Sequence, residues 1–289
     1  MKSKRNFLYS PDDIRLSYER VGCHRQSRGT ILKYSKNPID VRTVALSGLD
    51  LSPVRNVLDL GCGYGFFSEA LAAVLGSAVN ITGIDLVESN RAPFLDTLAS
   101  LKVPGEFMWG STDLIRTMES GHFDLIMASY SLYFFPHLIP EIVRACRPGG
   151  IFIAITHSRF TMREILGFIP ACMEEAGIKP PTEIMIRKLF NAFSSENGMS
   201  MLEPYFDRVE RIIFRNDLLV PPEEVSQFIS YLDGKEYLIL KDVRDIYPTK
   251  INQVKKCFYR KVYESAKIRK GGMIITKNDS VFRCYKQSD

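Results

Sequence analysis

The residues best suited to chemistry cluster first at Asp59-Leu60-Gly61-Cys62-Gly63-Tyr64-Gly65. Three glycines at alternate positions let the backbone turn tightly and come close to a ligand, because none carries a Cβ. A helix opening behind such a turn presents backbone N–H groups to a bound nucleotide, and Asp59 places a carboxylate just ahead of it. A second acid, Asp85, stands about twenty residues beyond the turn, where it can accept hydrogen bonds from both hydroxyls of a ribose. Two familiar nucleotide turns fail on spacing. The dinucleotide fingerprint needs Gly or Ala where Phe66 stands, and no Gly-Lys-Ser/Thr follows to make a phosphate loop. Three side chains are candidates for moving a proton: His157, whose ring type titrates near neutrality, then His137 and Tyr130.

These residues need a scaffold. Val57, Leu58 and Leu60 predict a buried strand, and apolar residues at 67, 70, 71, 74 and 75 predict a helix that Gly76 stops. A second strand is expected over Val79–Asp85, a helix over Ser89–Leu101 and a third strand over Gly105–Gly110. Phe123–Tyr130 is almost continuously apolar, as a strand covered on both faces should be, with Asp124 in a structural role. Arg147-Pro148-Gly149-Gly150 makes a fixed reversal into a fifth strand, Ile151–Thr156. Strands alternating with helices predict a doubly wound α/β sheet. Its strand ends then carry Asp85, Tyr130 and His157.

The word Asp-x-Gly-x-Gly-x-Gly, with its strand and helix, resembles the first motif of the class I S-adenosylmethionine (SAM) dependent methyltransferases. Asp59, Gly61, Gly63 and Gly65 match it position by position. The fourth-strand segment and the Arg-Pro-Gly-Gly turn resemble the same family, small-molecule type. The resemblance implies a Rossmann-like seven-stranded sheet, mostly parallel with an antiparallel last strand, and SAM as cofactor. It implies a cofactor set of Asp59, Gly61, Cys62, Gly63, Gly65, Asp85, Leu86, Ser111, Thr112, Ala128 and Ser129. Leu86 would meet the adenine, and Ala128 and Ser129 would offer backbone groups. One position departs: where the family usually has an Asp for the adenine amino group, Ser111 stands, with Asp113 two residues on. Tyr130, Ser131, Tyr133 and His137 would look toward the acceptor, with His157 at the pocket rim.

The rest of the chain has no motif. It is expected to form one methyltransferase domain: an N-terminal helical cap over 1–50, a core over 51–157, and a C-terminal part over 158–289. Within the last, a strand over Val209–Arg215 precedes a helical insertion at about 221–268 that would cap the acceptor, and Met273–Thr276 and Val281–Lys286 form the last strand region. Tyr9, Tyr18 and Tyr34 are candidates for touching the ligand, or ordinary packing aromatics.

Composition narrows the classes. The chain has 289 residues, 45% hydrophobic and 25% charged, with formal net charge +5. No run is long and apolar enough to span a bilayer, and the basic N-terminus lacks an apolar core for a signal peptide. The six cysteines, Cys23 among them, have no Cys-x-x-Cys, which fits reduced thiols in a cytoplasmic protein and no metal. The fourth strand ends in neither Asn/Asp-Pro-Pro-Tyr/Phe nor a Pro-Cys, which weakens base methylation. A basic run from Lys250 to Lys270 reads as the solvated face of a helix, with RNA docking as its alternative. His24 and His122 receive no role. The expectation is methyl transfer to a small-molecule acceptor by in-line displacement, with neither nucleic acid nor membrane as partner. Methylation of RNA or protein, and a non-catalytic SAM-binding partner subunit, are the alternatives.

Overall fold

The structure, a computed structural model, describes residues 8–19, 23–269 and 271–288, the side chains of 23–25 excepted. The expectations placed on the first seven residues, Cys23, His24 and Lys270 lie outside what is described. The chain divides into two compact units. One comprises the described residues of Pro38–Arg159, Ala192–Arg215 and Asn278–Asp289; the other those of Met1–Asn37, Phe160–Asn191 and Asn216–Lys277.

The first unit is built on a seven-stranded sheet. Its strands are β1 (Asn56–Leu60), β2 (Asn80–Asp85), β3 (Gly105–Trp109), β4 (Phe123–Ser129), β5 (Cys146–His157), β6 (Arg208–Phe214) and β9 (Asp279–Tyr285). Their order is β3-β2-β1-β4-β5-β9-β6. β9 runs antiparallel to both its neighbours, and the other pairings are parallel. This is the fold expected from the alternation of strands and helices. The chain winds outward from β1 to β3, then returns to lay β4 on the other side of β1. A ligand crevice opens at such a reversal, beyond the carboxyl ends of the strands.

The register aligns those ends. Asp59 stands opposite Gly83 and Met127, Ser129 opposite Ile155, and His157 opposite Asp279. Alternate strand residues Val57, Ile81, Leu125, Met127, Ile153, Ile155 and Val281 form one core with Phe67 and Leu71 of the helix Phe66–Leu75. A ten-residue helix is marginal alone, so burial of Phe67 and Leu71, about 1.5–3 kcal/mol each, decides that it forms. Gly76, at φ +63°, closes it. Asp124 accepts the backbone N–H groups of Arg55 and Asn56 at 2.6 and 2.8 Å, a structural use that ties the start of β1 to β4.

The second unit is mainly helical, with a two-stranded antiparallel sheet of β7 (Asp217–Val220) and β8 (Met273–Thr276). Met273–Thr276 is therefore not part of the main sheet. The four residues of β7, just past the β6 end, give too short an apolar pattern to be read as a separate strand. The helices Val225–Asp233 and Ile251–Ile268 lie between β7 and β8, where helices were expected. Tyr9, Tyr18 and Tyr34 are used inside this unit: Tyr9 donates to the Leu238 carbonyl, Tyr34 to Gln227, and Tyr18 lies under the Lys235 ammonium. No helix of the described residues is long and apolar enough to cross a membrane.

Candidate functional site

The glycine turn runs through backbone conformations that favour glycine. Gly61, Gly63 and Gly65 have φ of +71°, +52° and +76°, the left-handed region that costs other residues about 1–2 kcal/mol. Space is short as well. A Cβ on Gly61 would lie 2.6 Å from Ser131 Cβ, and one on Gly65 3.0 Å from the Phe94 ring. The turn is pinned from below: Gly61 and Cys62 donate to the Ile84 carbonyl, and Gly63 donates to Asp85 Oδ2 at 2.8 Å.

Both acids of the motif are buried. Asp59 accepts from the Ser68 hydroxyl at 2.7 Å, which braces β1 against the first turn of the following helix. Burial pushes its carboxyl up to about 7; the nearby Asp85 charge adds to the rise and the Ser68 hydrogen bond opposes it. Asp85 sits at the end of β2, as expected. Its Oδ1 accepts from the Val87 N–H and the Asn90 amide, at 2.8 and 3.0 Å. A carboxylate offers about four acceptor positions, and three are taken by the chain itself. Asp85 thus shapes the turn, and burial raises its pKa.

Beside these acids stand polar atoms that the fold buries and does not pair: Asn90 Oδ1, Ser129 Oγ and Arg42 Nε, none with a hydrogen-bond partner among the described residues. Buried unpaired groups cost about 1–3 kcal/mol each, so a concentration of them near one strand rim marks a place shaped for a polar ligand. Arg42 rises from the helix Val41–Leu46, pairs with Asp40 at 3.3 Å and lies over the Phe66 ring. Sequence reading missed it, because no motif covers that helix.

The proton-handling candidates separate. His157 and Tyr130 come together on Asp279, a residue the sequence reading did not single out. His157 Nδ1 lies 2.8 Å from Asp279 Oδ1, and the Tyr130 hydroxyl donates to Asp279 Oδ2 at 2.6 Å. The Tyr130 and His157 rings stack with centroids 4.5 Å apart, and the Tyr133 ring lies near-parallel to His157 at 5.9 Å. Asp279 is 3% exposed. Tyr130 itself has φ +56°, unusual for a bulky residue; its N–H to the Ile155 carbonyl and its hydroxyl to Asp279 hold it there. Burial, then the Asp279 charge, pushes its phenol well above the ordinary range. His137 is elsewhere: its Nε2 faces Asp113 at 3.8 Å, and Asp113 also takes Arg116 and Ser111.

The remaining predicted positions fall as follows. Ser131 is buried, donates to the Leu60 carbonyl at 2.6 Å and packs on Gly61. Ala128 is fully buried in β4, and Cys62 is buried under the turn, its thiol pushed up by burial and the flanking acids. Leu86 is half-buried and its carbonyl accepts the Trp109 indole N–H. Ser111 caps the short turn that begins at Thr112, accepting from the Asp113 N–H. Among the described residues no group of three or more His, Cys, Asp or Glu is placed to hold a metal ion.

Comparison with known proteins agrees with this geometry. Residues 57–150 match the methyltransferase domain family. The tocopherol O-methyltransferase of Arabidopsis thaliana is 33% identical over 107 residues, 36% of this chain and 30% of that protein. The demethylmenaquinone methyltransferase of Bacillus cereus (strain B4264) is 25% identical over 117 residues, 39% of this chain and 49% of that protein. The match thus spans half or less of these relatives' length. Among solved structures, a Bacillus halodurans protein named as a methyltransferase superposes with TM-score 0.53 at 15% identity, over 86% of this chain and 99% of that one. The cyclopropane synthase MmaA2 of Mycobacterium tuberculosis gives 0.50 at 14%, over 96% and 98%. These structures share the fold. The left-handed glycine turn behind Asp59, the β3-β2-β1-β4-β5-β9-β6 order with β9 reversed, and the domain match over residues 57–150 together support a class I methyltransferase.

Proposed function

We propose that the protein transfers a methyl group from SAM to a small-molecule acceptor. One observation carries the reading: Ser131 packs on Gly61, so the glycine turn and the Tyr130–Asp279–His157 cluster share a single rim of the sheet. The residues fit the cofactor. Asp85 and Asn90 would take the ribose, the turn from Gly61 to Gly65 would pass beneath it, Leu86 would meet the adenine, and Ser129 and Arg42 would take polar groups of the methionine part. Each of Asn90, Ser129 and Arg42 has a buried atom that such a ligand would pair. Bound SAM supplies a methyl on a positive sulfonium; transfer forms one bond to the acceptor and breaks one carbon–sulfur bond, leaving a neutral thioether. The chain therefore has to align the acceptor, exclude water and move at most one proton. The relatives are named for tocopherol and demethylmenaquinone, which supports a small acceptor here.

A calorimetric titration tests the cofactor. SAM should bind, and Asp85→Ala should weaken it at least about tenfold, the size of one or two lost hydrogen bonds to a charged group. Undiminished binding by that variant overturns the assignment. Labelled SAM incubated with a panel of small hydroxyl- and amine-bearing molecules tests the acceptor class.

A further inference from the structure

We propose that Asp279 is the positioning residue of the site: it fixes the tautomer and plane of His157 so that Nε2 takes a proton from the acceptor, while it ties the Tyr130 ring against the imidazole. The inference deepens the methyl-transfer reading and rests on it. Its geometry comes from strand register. His157 ends β5, Asp279 begins β9, and the two are direct cross-strand partners, a relation that brings side chains within reach on one face. An ionised carboxylate only accepts hydrogen bonds. At 2.8 Å from Asp279 Oδ1, the His157 Nδ1 must carry the proton, and in the neutral ring Nε2 is then the basic nitrogen. The other oxygen, Oδ2, takes the Tyr130 hydroxyl at 2.6 Å. Tyr130 thereby spends its only O–H on Asp279 and is a wall of the site rather than its base. An acidic partner behind a histidine is the device that orients the base in hydrolases; here it implies an acceptor that arrives protonated, a hydroxyl or an ammonium. The acceptor's bond to hydrogen breaks, the proton passes to Nε2, and the electron pair left behind becomes the nucleophile.

Among the described residues, those shown against the imidazole include Asp279 from β9 and Tyr130 and Tyr133 from the segment after β4. Arg42 of the helix Val41–Leu46 and Asp40, which caps that helix, act on Tyr130. On the far side of Ser158, Glu196 is engaged by the Ser158 hydroxyl and the Arg159 N–H. Asp279 is in direct contact with the ring, so its charge should favour the imidazolium.

The experiment is nitrogen NMR of the full chain labelled with ¹⁵N-histidine and free of cofactor, the His157 signals assigned by their loss in His157→Gln. The wild type should show the Nδ1-protonated tautomer. Asp279→Asn should lower the ring's titration midpoint by about one pH unit, since a neighbouring carboxylate favours the imidazolium. Tyr130→Phe should leave the tautomer as it is. In turnover, Asp279→Asn should lower kcat at least about tenfold, the scale of general-base help, with KM for SAM changed less than about twofold. An Nε2-protonated tautomer in the wild type overturns the inference with no variant needed, as does an unmoved midpoint in Asp279→Asn. If the ring behaves as expected and the wild type methylates no acceptor, the reading of function falls and the assignment of Asp279 as the orienting partner of His157 stands.

Discussion

Asp59 shows how a motif residue can serve the fold. The sequence pattern marks it as cofactor-binding, yet its carboxylate is buried and holds Ser68. Burial raises its pKa to about 7, above the unfolded value near 4. Between those values the folded state binds more protons than the unfolded chain, so this group's stabilising share is full below about pH 4 and is lost as pH rises through about 7. Asp59→Asn keeps an acceptor for the Ser68 hydroxyl and removes the titration. Its melting temperature relative to wild type should therefore climb as pH goes from 5 to 8. Thermal scans across that range check this, and a constant difference would assign the shift to another group. At this scale the sequence was most readable where the chemistry is local. Asp59, the three glycines and Asp85 lie on one strand–turn–helix–strand stretch, and their spacing alone places them. Asp279 was not readable, because nothing in Lys277-Asn278-Asp279-Ser280 says which strand end it will face.

Among the elements, β9 does the most. Running antiparallel between β5 and β6, it delivers Asp279 to the site at one end and Arg283 to the helix Val41–Leu46 four residues on. The buried Arg283 guanidinium donates to the carbonyls of Val44, Ala45 and Ser47 at 2.7, 3.1 and 2.6 Å. These are carbonyls at the last turn of that helix, where intrahelical N–H partners run out and a cation is favoured; the Val44 carbonyl also accepts from the Ser47 hydroxyl at 3.1 Å. The same helix carries Arg42. Arg283→Met should cost about 2–4 kcal/mol, because three acceptors lose a charged donor, and should weaken SAM binding as Arg42 loses its footing. Urea midpoints and titration calorimetry read the two effects, and Arg283→Lys should restore part of the first. Unchanged stability would show that water replaces the guanidinium freely. The strand itself was visible as an apolar run; its neighbours were not. The same gap misplaced Met273–Thr276, correctly read as extended but paired with β7 in a sheet of its own. Local pattern gives strand identity, and only packing gives the partner.

For the whole molecule the open choice is between a small acceptor and a macromolecule, and the formal charge of +5 left both standing. The helix Ile251–Ile268 was the one surface that argued for RNA. Of the apolar face that the spacing implies, Ile251, Val254, Phe258 and Val262, the last three are buried and Ile251 is half-buried. Three of its cations, Lys255, Arg260 and Lys261, are paired with acids within their own unit. Lys255 lies 2.6 Å from Asp233 and also pairs with Glu236; burial works against its charge, yet the two acids hold it above the ordinary lysine range. Arg260 and Lys261 share Glu175 at 2.7 and 2.6 Å, and Lys261, the Cys257 thiol and Arg260 hold that carboxyl down to about 2. Cations matched to acids from other helices release few counterions on meeting a phosphate backbone. The expected result of Lys255→Gln with Lys261→Gln is therefore a lower melting temperature with methyl transfer to a small acceptor retained. Any RNA affinity should be weak and no steeper in salt for the wild type than for the variant. An RNA complex whose log affinity falls steeply with log salt, and loses about one unit of slope for each lysine removed, would instead make this helix a docking face and hand the acceptor to the macromolecular reading.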